Sequence, residues 1–202
     1  MTVLWLSGGL AAGWLLHWLS DYLPRRLGKL PSGVRLGQQT AVLLYAAMGI
    51  TAVSGLYFAP RQQWLALVVV AFFLLVALID AKYRLVLNAL VYPALGFALL
   101  WPFVTGQPVA SVLVGGGLAL AAFALAAWLR PGDLGGGDVK LAALIGLLFG
   151  FPGVLWPLLL GVGSGGLAAG YFLVRGYGRH HHMPYAPFLC LGVFVALFYS
   201  PV

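Results

Sequence analysis

Acidic residues are scarce in this chain: four among 202, all of them aspartates, against eleven Lys and Arg. Charged residues of either sign make up only 7% of the sequence, while 62% is hydrophobic. That shortage excludes an ordinary soluble domain, which needs far more polar surface to enclose its core. Cysteine is nearly missing too, and the single Cys190 excludes a disulfide framework or a cysteine zinc site. No hydrophilic stretch is long enough to form a second soluble domain. What remains is an all-α, polytopic membrane helix bundle.

The uncharged runs set the number of crossings, since a helix needs about 20 residues to traverse the hydrocarbon core. They are residues 1–20, Leu36 to Pro60, Gln62 to Ile79, Leu85 to Leu129, Leu141 to Val174 and His180 to Val202. The fourth run breaks at Trp101-Pro-Phe-Val-Thr-Gly-Gln-Pro108 and the fifth near Gly150-Phe-Pro-Gly153, where proline, glycine and polar residues mark turns. Eight transmembrane helices follow. Residues 1–60 read as a two-helix segment with a short basic loop, and residues 61–202 as a six-helix core.

Basic loops are retained in the cytoplasm. With eight spans and an outside N-terminus, ten of the eleven basic residues face the cytoplasm and only Arg61 lies outside, so both termini are on the outer side. The first apolar run has no basic residue before it and its positive charges follow it, which reads as a retained helix and not a cleaved signal. The net charge of +7 is accounted for by this topology and by contact with anionic membrane lipids, with no nucleic-acid partner.

In so acid-poor a chain, the position of each aspartate carries information. Asp21 stands among Arg25 and Arg26 after the first span and reads as a solvated surface charge. Asp80 ends the run Phe72-Phe-Leu-Leu-Val-Ala-Leu-Ile-Asp80, at or below the interface, where an ionisable group is costly and usually functional. Asp138 precedes the Gly150 turn by only 12 residues, about 18 Å of helix against a hydrocarbon core of about 30 Å. A helix that starts below the membrane surface accommodates this, because irregular backbone at depth is tolerated where it lines a polar cavity. Gly135, Gly136 and Gly137 would let the chain adopt positive φ and approach a substrate backbone closely. The same stretch also suits an aspartate that merely caps a helix. Asp133 reads equally as a loop cap or as an orienting group. His180, His181 and His182 read as a solvated, weakly cationic loop and not a metal site, and His17 and Cys190 as packing residues.

Gly135-Gly-Gly-Asp-Val-Lys-Leu141, Leu78-Ile-Asp80 and Met183-Pro-Tyr-Ala-Pro-Phe-Leu189, together with Trp18-Leu-Ser-Asp-Tyr-Leu-Pro-Arg-Arg26, resemble the type IV prepilin peptidases, which are GxGD-type intramembrane aspartyl proteases. The resemblance implies that Asp80 and Asp138 are the catalytic pair. Gly135, Gly136, Gly137, Lys140, Asn88, Pro184 and Pro187 fall in the matching motifs, where they would contact substrate or set loop geometry. It further implies an enzyme of the bacterial cytoplasmic membrane that needs no cofactor or metal. Its substrates would be prepilins or pseudopilins, cut at the cytoplasmic face. Two departures stand out. Leu87-Asn88 replaces the family's frequent Pro followed by Asp or Asn, and no cysteine-bearing zinc domain separates the first two spans, so N-methylation of the product is not expected.

Such chemistry needs two carboxylates, one to deprotonate a water and one to protonate the scissile carbonyl, with the pair sharing a proton. Helix polarity favours the anion at a helix N-terminus and the acid near a C-terminus, which suggests Asp138 as initial base and Asp80 as initial acid. The competing reading is a small transporter or channel with both aspartates as ion or proton sites. Against it stands the clustering of both acids toward one membrane face.

Overall fold

The computed structural model describes residues 2–29, 63–129, 131, 134–175 and 184–199. The expected second span, the boundary at residues 60 and 61, Asp133 and the histidine run 180–182 lie outside the described residues. Seven helices are present among those described: α1 (Thr2–Arg26), α2 (Gln63–Tyr83), α3 (Asn88–Thr105), α4 (Val109–Leu129), α5 (Gly136–Phe149), α6 (Leu155–Val174) and α7 (Ala186–Tyr199). Of these, α2, α3, α4 and α6 are long and apolar enough to cross a membrane. Large apolar side chains such as Phe97, Phe103, Trp128 and Leu167 stand outward on α3, α4 and α6, which is the surface a helix offers to lipid and not to water.

The chain divides into two compact units, residues 1–84 and 85–200. In the first, α1 packs on α2. Both helices run further than the uncharged segments suggested: α1 continues through Asp21 and Pro24 to Arg26, and α2 passes Asp80 to end at Tyr83. Uncharged runs mark only the part of a helix that sits in hydrocarbon. The interfacial turn beyond can carry charge and stay helical.

In the second unit α5 is the central element, packed chiefly on α4 and also on α3, while α6 pairs with α7. It is apolar on every side from Leu141 to Leu148 and is buried along that whole length, as a helix without a polar face must be. It is short, at 14 residues. Gly150, at φ 61°, ends it, donating its N–H to the Gly146 carbonyl at 3.0 Å. The α3–α4 turn then supplies partners for the backbone groups set free there. Gln107 Nε2 donates to the Leu148 carbonyl at 3.3 Å, Ser111 Oγ donates to the Phe151 carbonyl at 2.6 Å, and the Phe151 N–H donates to the Ser111 carbonyl at 2.9 Å. Both turns predicted from proline and glycine fall where expected, at residues 106–108 and 150–154.

Small residues let α4 and α5 cross at backbone contact. A β-carbon on Gly115 would lie 2.5 Å from the Gly146 carbonyl oxygen and 2.7 Å from the Gly150 carbonyl carbon. One on Gly146 would collide with the Gly115 carbonyl in turn. The α6–α7 pair repeats the device, with Gly192 against the Pro157 carbonyl and 2.7 Å from the Gly161 nitrogen. Such contacts drive association where lipid removes the hydrophobic advantage of burying apolar side chains.

Overpacking costs about 1–3 kcal/mol when side chains can yield. At Gly115 the obstacle is backbone, so Gly115→Val is expected to destabilise by about 3 kcal/mol or more. Gly117, two positions along, faces nothing within 4 Å, and Gly117→Val is expected to stay within about 0.5 kcal/mol of the parent. Thermal unfolding of the two detergent-solubilised variants checks the difference.

Candidate active site

Asp80 lies in the last turn of α2, where the helix closes with the Arg84 N–H donating to the Asp80 carbonyl at 2.7 Å and with Arg84 in the left-handed region at φ 52°. Its side chain is buried, with only 5% of the residue exposed. Two residues on, the side chain of Lys82 is only 3% exposed. Its Nζ donates to Ser20 Oγ at 2.6 Å and to Asp21 Oδ1 at 2.8 Å, with a longer contact of 3.5 Å to the His17 carbonyl. The Tyr83 hydroxyl donates to the same Asp21 oxygen at 2.9 Å.

Asp21 is therefore not the solvated surface charge that its arginine neighbours suggested. Because α1 stays helical through Arg26, Asp21 is carried on the helix to the α2 surface, where it compensates a lysine whose side chain is 3% exposed. A buried ammonium without such a partner would be costly.

In the second unit, Gly135 precedes α5 in extended conformation at φ −76°, and Asp138 is the third residue of the helix. Asp138 Oδ2 accepts the Gly135 N–H at 3.2 Å, and the Asp138 N–H donates to the Gly135 carbonyl at 3.0 Å. This is the acidic half of a capping box. It orients the carboxylate by one oxygen and leaves the other for further partners. Asp138 is buried, like Asp80. The positive φ open to Gly135, Gly136 and Gly137 is not taken up. The first is extended, and the other two open the helix with ordinary helical geometry. Close approach is the actual constraint at Gly137, where a β-carbon would stand 2.6 Å from Cβ of Val86.

Two further predicted residues are brought together in this unit. Lys140 Nζ donates to Asn88 Oδ1 and to the Tyr92 hydroxyl, each at 2.9 Å, and lies 4.7 Å from the centre of the Tyr92 ring. Leu87 takes the extended N-cap position of α3 and Asn88 its first helical turn, so the departure from Pro at residue 87 still starts a helix there. Pro184 lies just before α7 and Pro187 in its first turn, where the missing N–H has no helical partner to lose. Between them Tyr185 accepts the Phe188 N–H on its carbonyl at 3.1 Å. Burial, and after it the charge of Asp138, hold the Tyr185 phenol above its ordinary range. Sequence reasoning missed Val86, Tyr92 and Tyr185, which carry no signal by type. Their positions beside the motifs, or for Tyr185 within one, were the only available sign.

A protein-family model matches residues 67–201, about two thirds of the chain, and that stretch holds Asp80, Asn88, the glycine run, Asp138, Lys140, Pro184 and Pro187. Apolar spanning helices and this match together define a membrane-integral peptidase. The chain belongs to the type IV leader peptidase family. No curated protein and no solved structure matches it significantly.

Two outcomes are expected from these contacts. Asp21→Asn withdraws the charge that compensates Lys82 and is expected to cost about 1–3 kcal/mol, read as a lowered midpoint of thermal unfolding in detergent. Gly137→Ala is expected to reduce peptidase turnover at least about tenfold by displacing the start of α5, since a misplacement of about 1 Å can cost about 100-fold. Pairing it with Val86→Gly, which removes the obstructing side chain, is expected to restore part of that loss.

Proposed function

We propose that the chain is an aspartic endopeptidase in which Asp80 and Asp138 act together on one water molecule. The observation that carries this reading is that both are buried near helix ends, although the chain has only four acids to place. In hydrocarbon surroundings a carboxylate kept out of water is costly, and function is the usual reason to retain it. The polarity of their helices supports Asp138 as initial base and Asp80 as initial acid, with Asp138 in the first turn of α5 and Asp80 in the last turn of α2. The base removes a proton from water as its oxygen bonds to the scissile carbonyl carbon and the acid protonates the carbonyl oxygen; the tetrahedral carbon then collapses, Asp138 passing its proton to the departing amine nitrogen and Asp80 recovering one from a hydroxyl.

The proposed substrates are type IV prepilins or pseudopilins, consistent with the family. They would be cut where their hydrophobic segment meets the cytoplasmic face of the bacterial inner membrane. A helix hides its peptide bonds in internal hydrogen bonds, so the substrate must enter locally extended. The proposed topology has eight spans and both termini outside, with residues 61–202 as the catalytic core and 1–60 as an N-terminal pair. Its support is the basic-residue partition of ten to one. Methyl transfer is not part of the proposal, since the loop between the first two spans is too short to enclose a cofactor.

Asp80→Asn and Asp138→Asn are each expected to abolish cleavage of a co-expressed prepilin while the chain stays folded and inserted. Mass spectrometry of the prepilin reads the outcome, and with the parent chain it is expected to show a shortened product with an unmethylated N-terminus. Near-normal cleavage by either variant rules out the pair.

A further inference from the structure

The sequence repeats one small pattern at the two proposed catalytic aspartates: Asp80-Ala-Lys82 and Asp138-Val-Lys140. In each case the lysine is taken up by another helix of its own unit. Lys82 on α2 donates to Ser20 and Asp21 of α1 at 2.6 and 2.8 Å. Lys140 on α5 donates to Asn88 and Tyr92 of α3, both at 2.9 Å, and covers the Tyr92 ring. We infer that Lys82 and Lys140 are positioning residues, each tying the helix that carries an aspartate to a neighbouring helix so that the carboxylate is held at a fixed height and rotation. The inference rests on the aspartate-pair reading above.

Helix geometry explains why the spacing is two. Successive residues turn by about 100°, so a lysine two places after an aspartate projects from the far side of the helix, about 200° around. The tether therefore restrains the helix from behind, on the side away from the carboxylate. A compact ammonium with three rotatable donors suits both sites. At Lys82 it meets two side-chain oxygens and, at 3.5 Å, a main-chain carbonyl. At Lys140 it meets two side-chain oxygens and a ring face.

The tethers differ in charge. Asp21 compensates Lys82, whereas the partners of Lys140 among the described residues are neutral. A solvated lysine that served only topology would not need two acceptors at hydrogen-bond distance on a second helix, and a lysine that served only to bind substrate would not have its donors committed to the protein.

The test measures kcat and KM for a type IV prepilin reconstituted with the full chain in proteoliposomes, alongside each variant's unfolding midpoint. Lys140→Met is expected to lower kcat at least about tenfold with KM changed less than about threefold, because misplacement acts on the chemical step more than on binding. Lys140→Arg, which keeps the charge and the donors, is expected to recover part of the loss. Losses from Lys140→Met and Asn88→Leu are expected to overlap in the double variant instead of multiplying, as they must if both cut the same tether. Lys82→Met, tested singly and with Asp21→Asn to remove both charges of the half-buried pair, is expected to behave in the same way.

Unchanged kcat in folded Lys140→Met, a rise in KM alone, or losses that multiply independently would each overturn the inference. Asp80→Asn and Asp138→Asn are measured in the same vesicles. If both are inert, normal turnover in the lysine variants counts against the tethers alone; if either cleaves, the aspartate-pair reading falls and this inference with it.

Discussion

An ionisable side chain in hydrocarbon must be partnered within the protein or be worth its cost, because no solvent is present to stabilise the charge. Most of the polar architecture described above follows from that constraint. The ammonium of Lys82 is surrounded by oxygens from α1, and the Asp138 carboxylate takes a main-chain N–H from Gly135. Even the freed carbonyl at the end of α5 is met by a side chain from the α3–α4 turn. Asp21, Arg26, Lys82, Asp138 and Lys140 each have a polar partner among the described residues.

The second constraint is steric. In lipid, apolar side chains gain little by leaving their surroundings, so helices associate through close contact. The crossing of α4 and α5 at Gly115 and Gly146 and that of α6 and α7 at Gly161 and Gly192 show the same solution twice. The first crossing fixes the helix that carries Asp138, linking a feature of packing to one of chemistry. Gly137 extends this logic to the start of the helix, where its missing side chain makes room for Val86.

The sequence made the helical class, the two internal turns and the brevity of α5 readable, because apolar runs, proline and glycine act locally. Asp80 and Asp138 stood out for a similar reason, as isolated charges at the edges of long apolar runs. Asp21 misled, and the partners of Lys82 were not foreseen. Their roles depend on how far α1 and α2 stay helical past the last apolar residue, and on which faces of the two helices meet. The positive φ open to the glycine run is not taken up, and the sequence could not show this for a related reason: a glycine serves either an unusual backbone or a close neighbour, and only the position of Val86 distinguishes the two. The partners of Lys140 lie about 50 positions away in the chain, beyond the reach of any local pattern.

The length of α5 has a consequence for the supply of a reactant. In the proposed topology α5 is one of the spans, and its fourteen residues extend about 21 Å, roughly 9 Å less than a hydrocarbon layer of about 30 Å. Because α5 is enclosed by neighbouring helices and not by lipid, a hydrated depression at its end would make up the difference. Peptide hydrolysis consumes one water for every bond broken, and a membrane interior is a desert for that reactant. A helix too short for its membrane turns mismatch into irrigation.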